Sequence, residues 1–587
     1  MADTFERFAQ IRMYVNSLAL ALALLLFSCG GGRGDDPLLG KGDRHYGGVF
    51  NTNETEEIRS IFPLSLSQAS AHRIANQVYQ GLVRLDVQDL SVRPCLAESW
   101  EVDPEGKVYT FHLRKNARFH DDPCFPEGEG RPLTAGDVAY CFTQLCTDRP
   151  DNQLFWLFQD HVAGANEHYL ATANGGTGTV KGIEVLDEHT LRITLEHPMP
   201  TFLQVLAHQG CWIFPKEADE RYGEEMTYKA VGTGPFRLRT FRRGEVVILE
   251  RNDRYWEVDT FGNPLPYLDA VRITLGSDKD KELEQFRRGV LTAISDVPGG
   301  LVAVADSIDP LTGERRFLVR SMPGLSTQFY GFNSTRPPFD DIRVRKAFTM
   351  AIDKRFIVDS VLLGSATPAL GGFVAPGMNG YPYGSVKGIA YDPVRARDLL
   401  AEAGYPNGEG FPSMVLQVNN NDVNQVRVSI ALQDMIGDVL GIPVAASMMP
   451  SDQLFDRVER NQADLWREGW IADFPDPENF LAVFFGKNAA ASLDEPSFLN
   501  TTRYKDRVFD SLFTAASSMK DVEKRMQLLA AADQRMIADA VVLPLYHVSA
   551  VRLEQLYVRG FPMNPMDHRD LGSVWFDPVA KAAVHVR

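Results

Sequence analysis

The sequence predicts an α/β protein built in two or three lobes, and three observations carry that prediction. The chain has 587 residues, too many for one ordinary domain of roughly 100 to 200. Short runs that alternate apolar and polar residues are interleaved along the chain with longer runs of helical period, the pattern of lobes with mainly sheet cores. The composition, 44% apolar and 23% charged, is that of a folded globular protein and neither disordered nor collagen-like.

The elements follow in order. Residues 18 to 27, LALALALLLF, have the length of a signal-peptide apolar region and are too short for the ~20 residues that span a bilayer. The run ends at Ser28 and Cys29 and enters GGGRGDDPLLGKG, a tract too rich in glycine to hold helix or strand. This resembles a bacterial lipoprotein signal, which implies a signal peptide over 1–28, lipid on Cys29 and a flexible tether over 29–45. No later stretch approaches a membrane span, so a soluble body tied to a membrane by lipid is expected.

VYTFHLR (108 to 114) puts Tyr109, Phe111 and Leu113 on one face, and LRITL (191 to 195) does the same with Leu191, Ile193 and Leu195; both read as half-buried strands. Between them Thr134, with Asp137 three residues later, opens a capped helix that buries Val138, Phe142 and Leu145. VVILE (246 to 250) and VRITL (271 to 275) are further strands. Val344, Ala347, Phe348, Ala351 and Ile352 mark one buried helical face over 342–363. Asp392 as N-cap, Pro393 at the first helical position and Gly404 past the last turn delimit another helix. A third ends at Gly441 and feeds the strand-like IPVAASM. Segments rich in glycine and proline at 121–132, 174–178 and 371–388 read as surface loops or rims.

Composition also excludes function classes. A net charge of −17, with no run of Lys and Arg interleaved with aromatics, argues against nucleic acid as a partner. The chain has no H-E-x-x-H, G-x-S-x-G or Walker-type loop, and its twelve histidines are scattered as single surface or core residues would be, so no enzyme and no cofactor is expected. No C-x-x-C accompanies the six cysteines, which argues against zinc. With Cys29 lipidated, five remain, so at least one is free or pairs between chains. Cys141 and Cys146 lie about 140° apart around a helix and cannot bridge each other, which makes Cys124 the favoured partner for one of them.

Five segments together resemble one family: LAESWEVDPEGKVYTFHLRKNARFHDD (96 to 122), LTAGDVAYCF (133 to 142), VGTGPFRLRTF with LERNDRYW (231 to 256), FNSTRPPFDDIRVRKAFTMAIDKRFIV (332 to 358) and AYDPVRARDLLAEAGY (390 to 405). The family is the extracytoplasmic solute-binding proteins of ABC importers, in the branch that binds oligopeptides and dipeptides. The resemblance runs from about Gly47 to Trp575. It implies a bilobal clamshell of the type II, peptide-binding class, with an extra α/β subdomain in the first lobe. Lobe I then takes 46–78, 201–323 and 546–587, its subdomain 79–200, and lobe II 324–545, with chain crossings near 323 and 545 as the hinge. The implied partners are a short peptide, an ABC permease with its ATPase subunits, and a bacterial membrane holding the lipid on Cys29 at the periplasmic or cell-envelope face; a monomer is expected. Relatives that carry nickel chelates, haem, opines or oligosaccharides, and a peptide sensor or holdase uncoupled from transport, are the competing readings.

Within the resemblance, LWREGWIADFPDPENF (465 to 480) matches the segment in which an aspartate receives the ligand's ammonium and an arginine six residues earlier holds its carboxylate; here these are Asp473 and Arg467. A zwitterion taken out of water needs an opposite charge at each end. Six extended residues span roughly 20 Å and a tripeptide about 10 Å, so this turn-prone segment is expected to bend. Trp470 is either a pocket wall or core. Ser67, Gln68 and Ala69 are implied as the opposite edge, contributing backbone groups to a peptide held as an added strand. Phe329, Tyr330 and Asn333 are implied to approach from the hinge side, with strand core as the alternative for Phe329 and Tyr330.

Overall fold

The computed structural model describes residues 38–303, 307–308, 313–419 and 423–585. The expected signal peptide, Cys29 and the tether up to residue 37 lie outside them.

Three sheets carry the fold. One orders Val49–Glu54, Ala270–Leu275, Val246–Arg251 and Phe236–Arg242, with the first pair parallel. A second, antiparallel, orders Ala97–Val102, Val108–Leu113, Thr190–Thr194 and Ile183–Asp187, and buries Phe111, Leu113, Leu191 and Ile193 as the alternation predicts. The helix Ala135–Leu145 packs on it, opened by the expected reciprocal cap between Thr134 and Asp137.

The largest sheet has eight strands, and its centre is the 14-residue strand Val542–Gln555. The first half of that strand pairs with Ser326–Phe332 and Ala366–Pro368; from Ser549 onward it pairs with Phe317–Pro323 and Ala293–Ser295. Its partners therefore change at Val548 and Ser549, where Gly324 N also donates to Val548 O (2.7 Å). On one side of this crossing lies an apolar core around Phe332, Phe348, Leu416 and Leu432; on the other, one around Leu283, Phe286 and Leu553. The result is a bilobal α/β architecture whose halves meet at two adjacent chain crossings, and a few element-terminal residues are enough to absorb a change of lobe angle.

The helix ends read from the sequence recur: Asp392 accepts from Arg395 N (2.9 Å), and Gly404 and Gly441 have φ of 101° and 71°, beyond what an L-residue adopts without strain. Three expectations are corrected. The predicted helix over 342–363 stops at Met350; Asp353 then caps a new turn by accepting from Arg355 N and Phe356 N, and Ile357–Val361 is a π turn. A local cap outcompetes continuation, although all five apolar positions are buried. The five cysteines among the described residues are free thiols, Cys124 included. Burial pushes Cys95, Cys124 and Cys146 up to about 12, and Cys141 is occupied with both backbone groups of Phe214.

The segment 371–388 is a loop but not a surface one, because Phe373, Val374, Ala375 and Tyr381 are buried. Buried loop backbone needs partners, and Asp533, on the helix Val522–Ala538, supplies them: its carboxylate accepts from Phe373 N (2.8 Å), Val374 N (3.3 Å) and Tyr381 Oη (2.8 Å). A Cβ at Gly372 would stand 2.0 Å from this carboxylate. Burial raises Asp533 to about 6. Replacing it with alanine strands three buried donors and is expected to lower unfolding free energy by about 2–4 kcal/mol in chemical denaturation. Because the folded pKa lies above the unfolded one, its protonation favours the fold fully below about pH 4, and that contribution is lost as pH rises through about 6. Wild type should lose stability relative to Asp533→Asn across that window; parallel pH profiles would contradict the assignment.

Candidate functional site

The strand Leu465–Ile471 pairs with Ser326–Phe332 along its whole length, from Leu465↔Phe332 to Ile471↔Ser326. Its other edge meets Met414–Asn419 only at Leu465 and Trp466. From Arg467 to Ile471, therefore, no strand among the described residues occupies that edge. The segment is extended where a bend was expected, since Leu465, Trp466, Trp470 and Ile471 have the aromatic and β-branched or apolar character that suits a pleated strand paired on one side. The turn begins only after Ile471, which is 72% exposed, high for an isoleucine.

Just beyond lies a cavity of about 270 Å3, bounded on one side by Ser67, Gln68, Ala69 and His72 and on the other by Ile471 and Asp473. Leu66 and Gln68 are extended, and Gln68 N-caps the helix Ala69–Ala75 while its amide bridges Glu57 O (2.8 Å) and Arg59 N (2.9 Å). The cavity thus has an extended segment on one wall and the end of an open strand edge on the other.

Asp473 is held by Asn479, a residue the sequence reading missed. The Asn479 amide donates to Asp473 Oδ2 (3.1 Å), while its oxygen accepts from Asp473 N (3.2 Å) and from the Trp470 indole (2.9 Å). The turn beneath is fixed by Arg525, 4% exposed, which makes a bidentate pair with Asp476 (2.7 and 2.8 Å) and also bonds Glu478. Asp476 in turn caps Pro477–Leu481. Asp473 has no ion-pair partner among the described residues, and burial raises its pKa, with the Asn479 hydrogen bond opposing. The neighbouring cation is spent: Arg73 pairs with Glu54 (2.8 Å), Asp296 (2.6 Å) and Asp567 (2.8 Å). A cavity wall that carries an uncompensated carboxylate is suited to a cation that arrives with a ligand.

The histidines correct another expectation. His72, His208 and His568, far apart in sequence, line this same cavity. His72 and His568 have ring centroids 5.6 Å apart, and His72 packs on Trp212 at 5.2 Å. Burial lowers His72 and His208 to about 3 and His568 to about 4, so all three are neutral. Among the described residues no group of three or more His, Cys, Asp or Glu is arranged to hold a metal ion. His72 was legible in principle, one helical turn beyond Ala69; His568 was not.

Ser67, Gln68, Ala69 and Asp473 are therefore brought together, and the other predicted residues are not among the cavity lining. Trp470 supports Asp473 through their common partner Asn479. Arg467 and Trp470 lie on opposite faces of the strand, as period two requires. The Arg467 guanidinium donates to Asn419 Oδ1 (3.2 Å) and Gln328 Oε1, and its buried Nε has no hydrogen-bond partner. Phe329 is core, edge-on to Phe373 at 5.0 Å. Tyr330 is core on the other face, and Asn333 braces Asn461 (2.8 Å) and Ala463 O (2.9 Å). Phe329 and Tyr330 lie on a strand covered on both faces, and Asn333, just past its end, is buried and held by its own hydrogen bonds.

Comparison with known proteins gives a consistent picture. The family model for bacterial extracellular solute-binding proteins, family 5 Middle, matches residues 91–492. The periplasmic oligopeptide-binding protein OppA of Salmonella typhimurium is 27% identical over 526 residues, covering 88% of this chain and 90% of its own. The dipeptide-binding protein DppE of Bacillus subtilis is 27% identical over 536 residues, covering 89% and 91%. Among solved structures, a periplasmic oligopeptide-binding protein from Borrelia burgdorferi, OppAIV, superimposes with a TM-score of 0.71 at 27% identity, covering 90% of this chain and all of that one. With its two-lobed fold and its match over most of the chain, the protein belongs to the family 5 bacterial extracellular solute-binding proteins.

Proposed function

We propose that this protein is the substrate-binding component of an ABC importer, capturing short peptides between two lobes and delivering them to a membrane permease. The observation that carries this reading is Asp473, a half-buried carboxylate without an ion-pair partner among the described residues, at the end of an open strand edge and across a cavity from Ser67–Ala69. A peptide laid along Arg467–Ile471 adds one strand to the sheet, which satisfies main-chain groups whatever the side chains, and its amino terminus meets Asp473. Arg467, whose partners are amide oxygens, lies outside the cavity lining on an extended strand, so it receives the far carboxylate only of peptides long enough to reach it. The names of OppA and DppE, oligopeptide- and dipeptide-binding, support the same ligand class.

No bond is made or broken. The lobes are taken as 46–78, 201–323 and 546–587 against 324–545, with 79–200 as the subdomain of the first. A ligand favours closure only by contacting both, because one with equal affinity for open and closed forms shifts nothing. The Ser67–Ala69 wall and the Asp473 wall provide those two contacts. The family is extracytoplasmic; beyond that, a signal peptide over 1–28 and lipid on Cys29 place the protein at the membrane face where its permease waits.

Calorimetric titration with di- to pentapeptides tests the reading. Free peptides should bind, and N-acetylation should weaken them about tenfold to hundredfold, the value of a charge-assisted hydrogen bond. Asp473→Asn should cause a similar loss and make acetylated and free peptides equivalent; equal binding of both by wild type would sink the ammonium role. Because burial raises Asp473 in the folded state, its ionisation opposes folding as pH rises through that value, so unliganded Asp473→Asn should be at least as stable as wild type at pH 7. Affinity for free peptides should fall as pH drops through the same raised pKa. Asn479→Ala should weaken free peptides several-fold while Asp473 is retained, and a variant with unchanged affinity would show that the Asn479 clamp is not needed.

A further inference from the structure

A second cavity, of about 120 Å3, adjoins the cleft and shares Leu85, Ala207 and His568 with it as a common wall. That is well above the roughly 10–15 Å3 needed for one water. Tyr79, Trp212 and Tyr255 give it aromatic walls, and Arg84, Arg93 and Asp570 line it as well.

Its charged lining residues, Arg84, Arg93, Asp86 and Asp570, are not all paired with one another. Arg84 is consumed by Glu257 in a bidentate pair, and Glu257 also accepts from Tyr255 Oη (2.8 Å). Arg93 pairs with Asp86 (3.3 Å) and Asp89 (3.6 Å). Asp570 accepts one backbone hydrogen bond, from Gly572 N (2.8 Å), and has no ion pair among the described residues. Arg84 and Arg93 are thus both engaged, and Asp570 is the lining carboxylate left without an ion pair, while His568 is neutral. Burial raises the Asp570 pKa, an effect that Arg84 opposes and Glu257 reinforces.

We infer that this cavity is a side-chain subsite for a basic residue of the bound peptide, with Asp570 as the specificity-determining acceptor and Tyr79, Trp212 and Tyr255 as the walls around the cationic side chain. The inference rests on the peptide reading given above and narrows its substrate class. An ammonium or guanidinium entering past His568 supplies the missing positive charge, and aromatic faces stabilise a desolvated cation. An acidic side chain would be repelled by Asp570, and an apolar one would leave the half-buried Asp570 without a partner.

The test is calorimetry with tri-alanine peptides in which Lys, norleucine or Glu replaces each alanine in turn. At one position Lys should bind wild type about tenfold tighter than norleucine, with Glu weakest. Asp570→Asn, which keeps the acceptor for Gly572 N, should bring Lys and norleucine to within about twofold while leaving tri-alanine affinity unchanged. If wild type binds these peptides but prefers Lys at no position, the inference is overturned, whatever the folding of the variant. It is equally overturned if Asp570→Asn weakens Lys peptides and tri-alanine alike. Failure of every peptide to bind wild type would instead overturn the peptide reading itself, and the subsite with it.

Discussion

A carboxylate that is withdrawn from water and given no counter-charge is the constraint around which this cleft is organised. Elsewhere the protein pairs its buried charges closely: Arg525 with Asp476 and Glu478, Arg73 with three acids, Arg552 with Glu554. Asp473 has no such partner among the described residues, and neither does the fully buried Asp533, but Asp533 is satisfied by three neutral donors whereas Asp473 faces a cavity. Desolvating an ionised group without a partner is unfavourable, and it persists only where the surroundings hold the group in place. Asn479 does so from one side through three hydrogen bonds, and the Arg525 network fixes the turn that presents Asn479. The arrangement leaves a deficit of positive charge that a ligand can fill.

The scaffold has to hold that carboxylate still on one lobe and allow the other lobe to approach. A single long strand, Val542–Gln555, reconciles the two demands. Its two halves belong to different pairings, and the partners change at Val548 and Ser549. The antiparallel passage of the chain through Gly324 and Leu325 lies beside it. The free edge at Arg467–Ile471 has a matching logic: exposed strand edges are usually blocked, because they invite pairing with other chains. Here it opens into a cleft, where the length of chain that can pair is limited.

Much of the fold was legible in the residues. Caps at Thr134 and Asp392, the glycines at 404 and 441, and the alternation in 108–113 and 190–194 recur because they act within a few residues and need no distant partner. The helix over 342–363 failed at Asp353 for the same local reason, a cap that apolar spacing alone does not weigh. The loop at 371–388 was misplaced because its backbone donors are satisfied by Asp533, some 160 positions away, and only that partner makes burial of Phe373 and Val374 tolerable.

The site divides in the same way. Asp473 and the 67–69 segment were singled out through the family resemblance, and the fold brings them to one cavity. Asn479, the three converging histidines and the unmatched charge of Asp570 were not, since each depends on which chain segments the topology brings side by side. By itself, then, the sequence determined the α/β class, most element ends and the acid at 473, because propensity, capping and alternation are interactions between near neighbours. Only the tertiary structure decided that 465–471 is an open strand edge, that Phe329, Tyr330 and Asn333 are core, and which charges remain without partners. Pairing, burial and charge balance are sums over groups remote in sequence, and they take values only when the chain is folded.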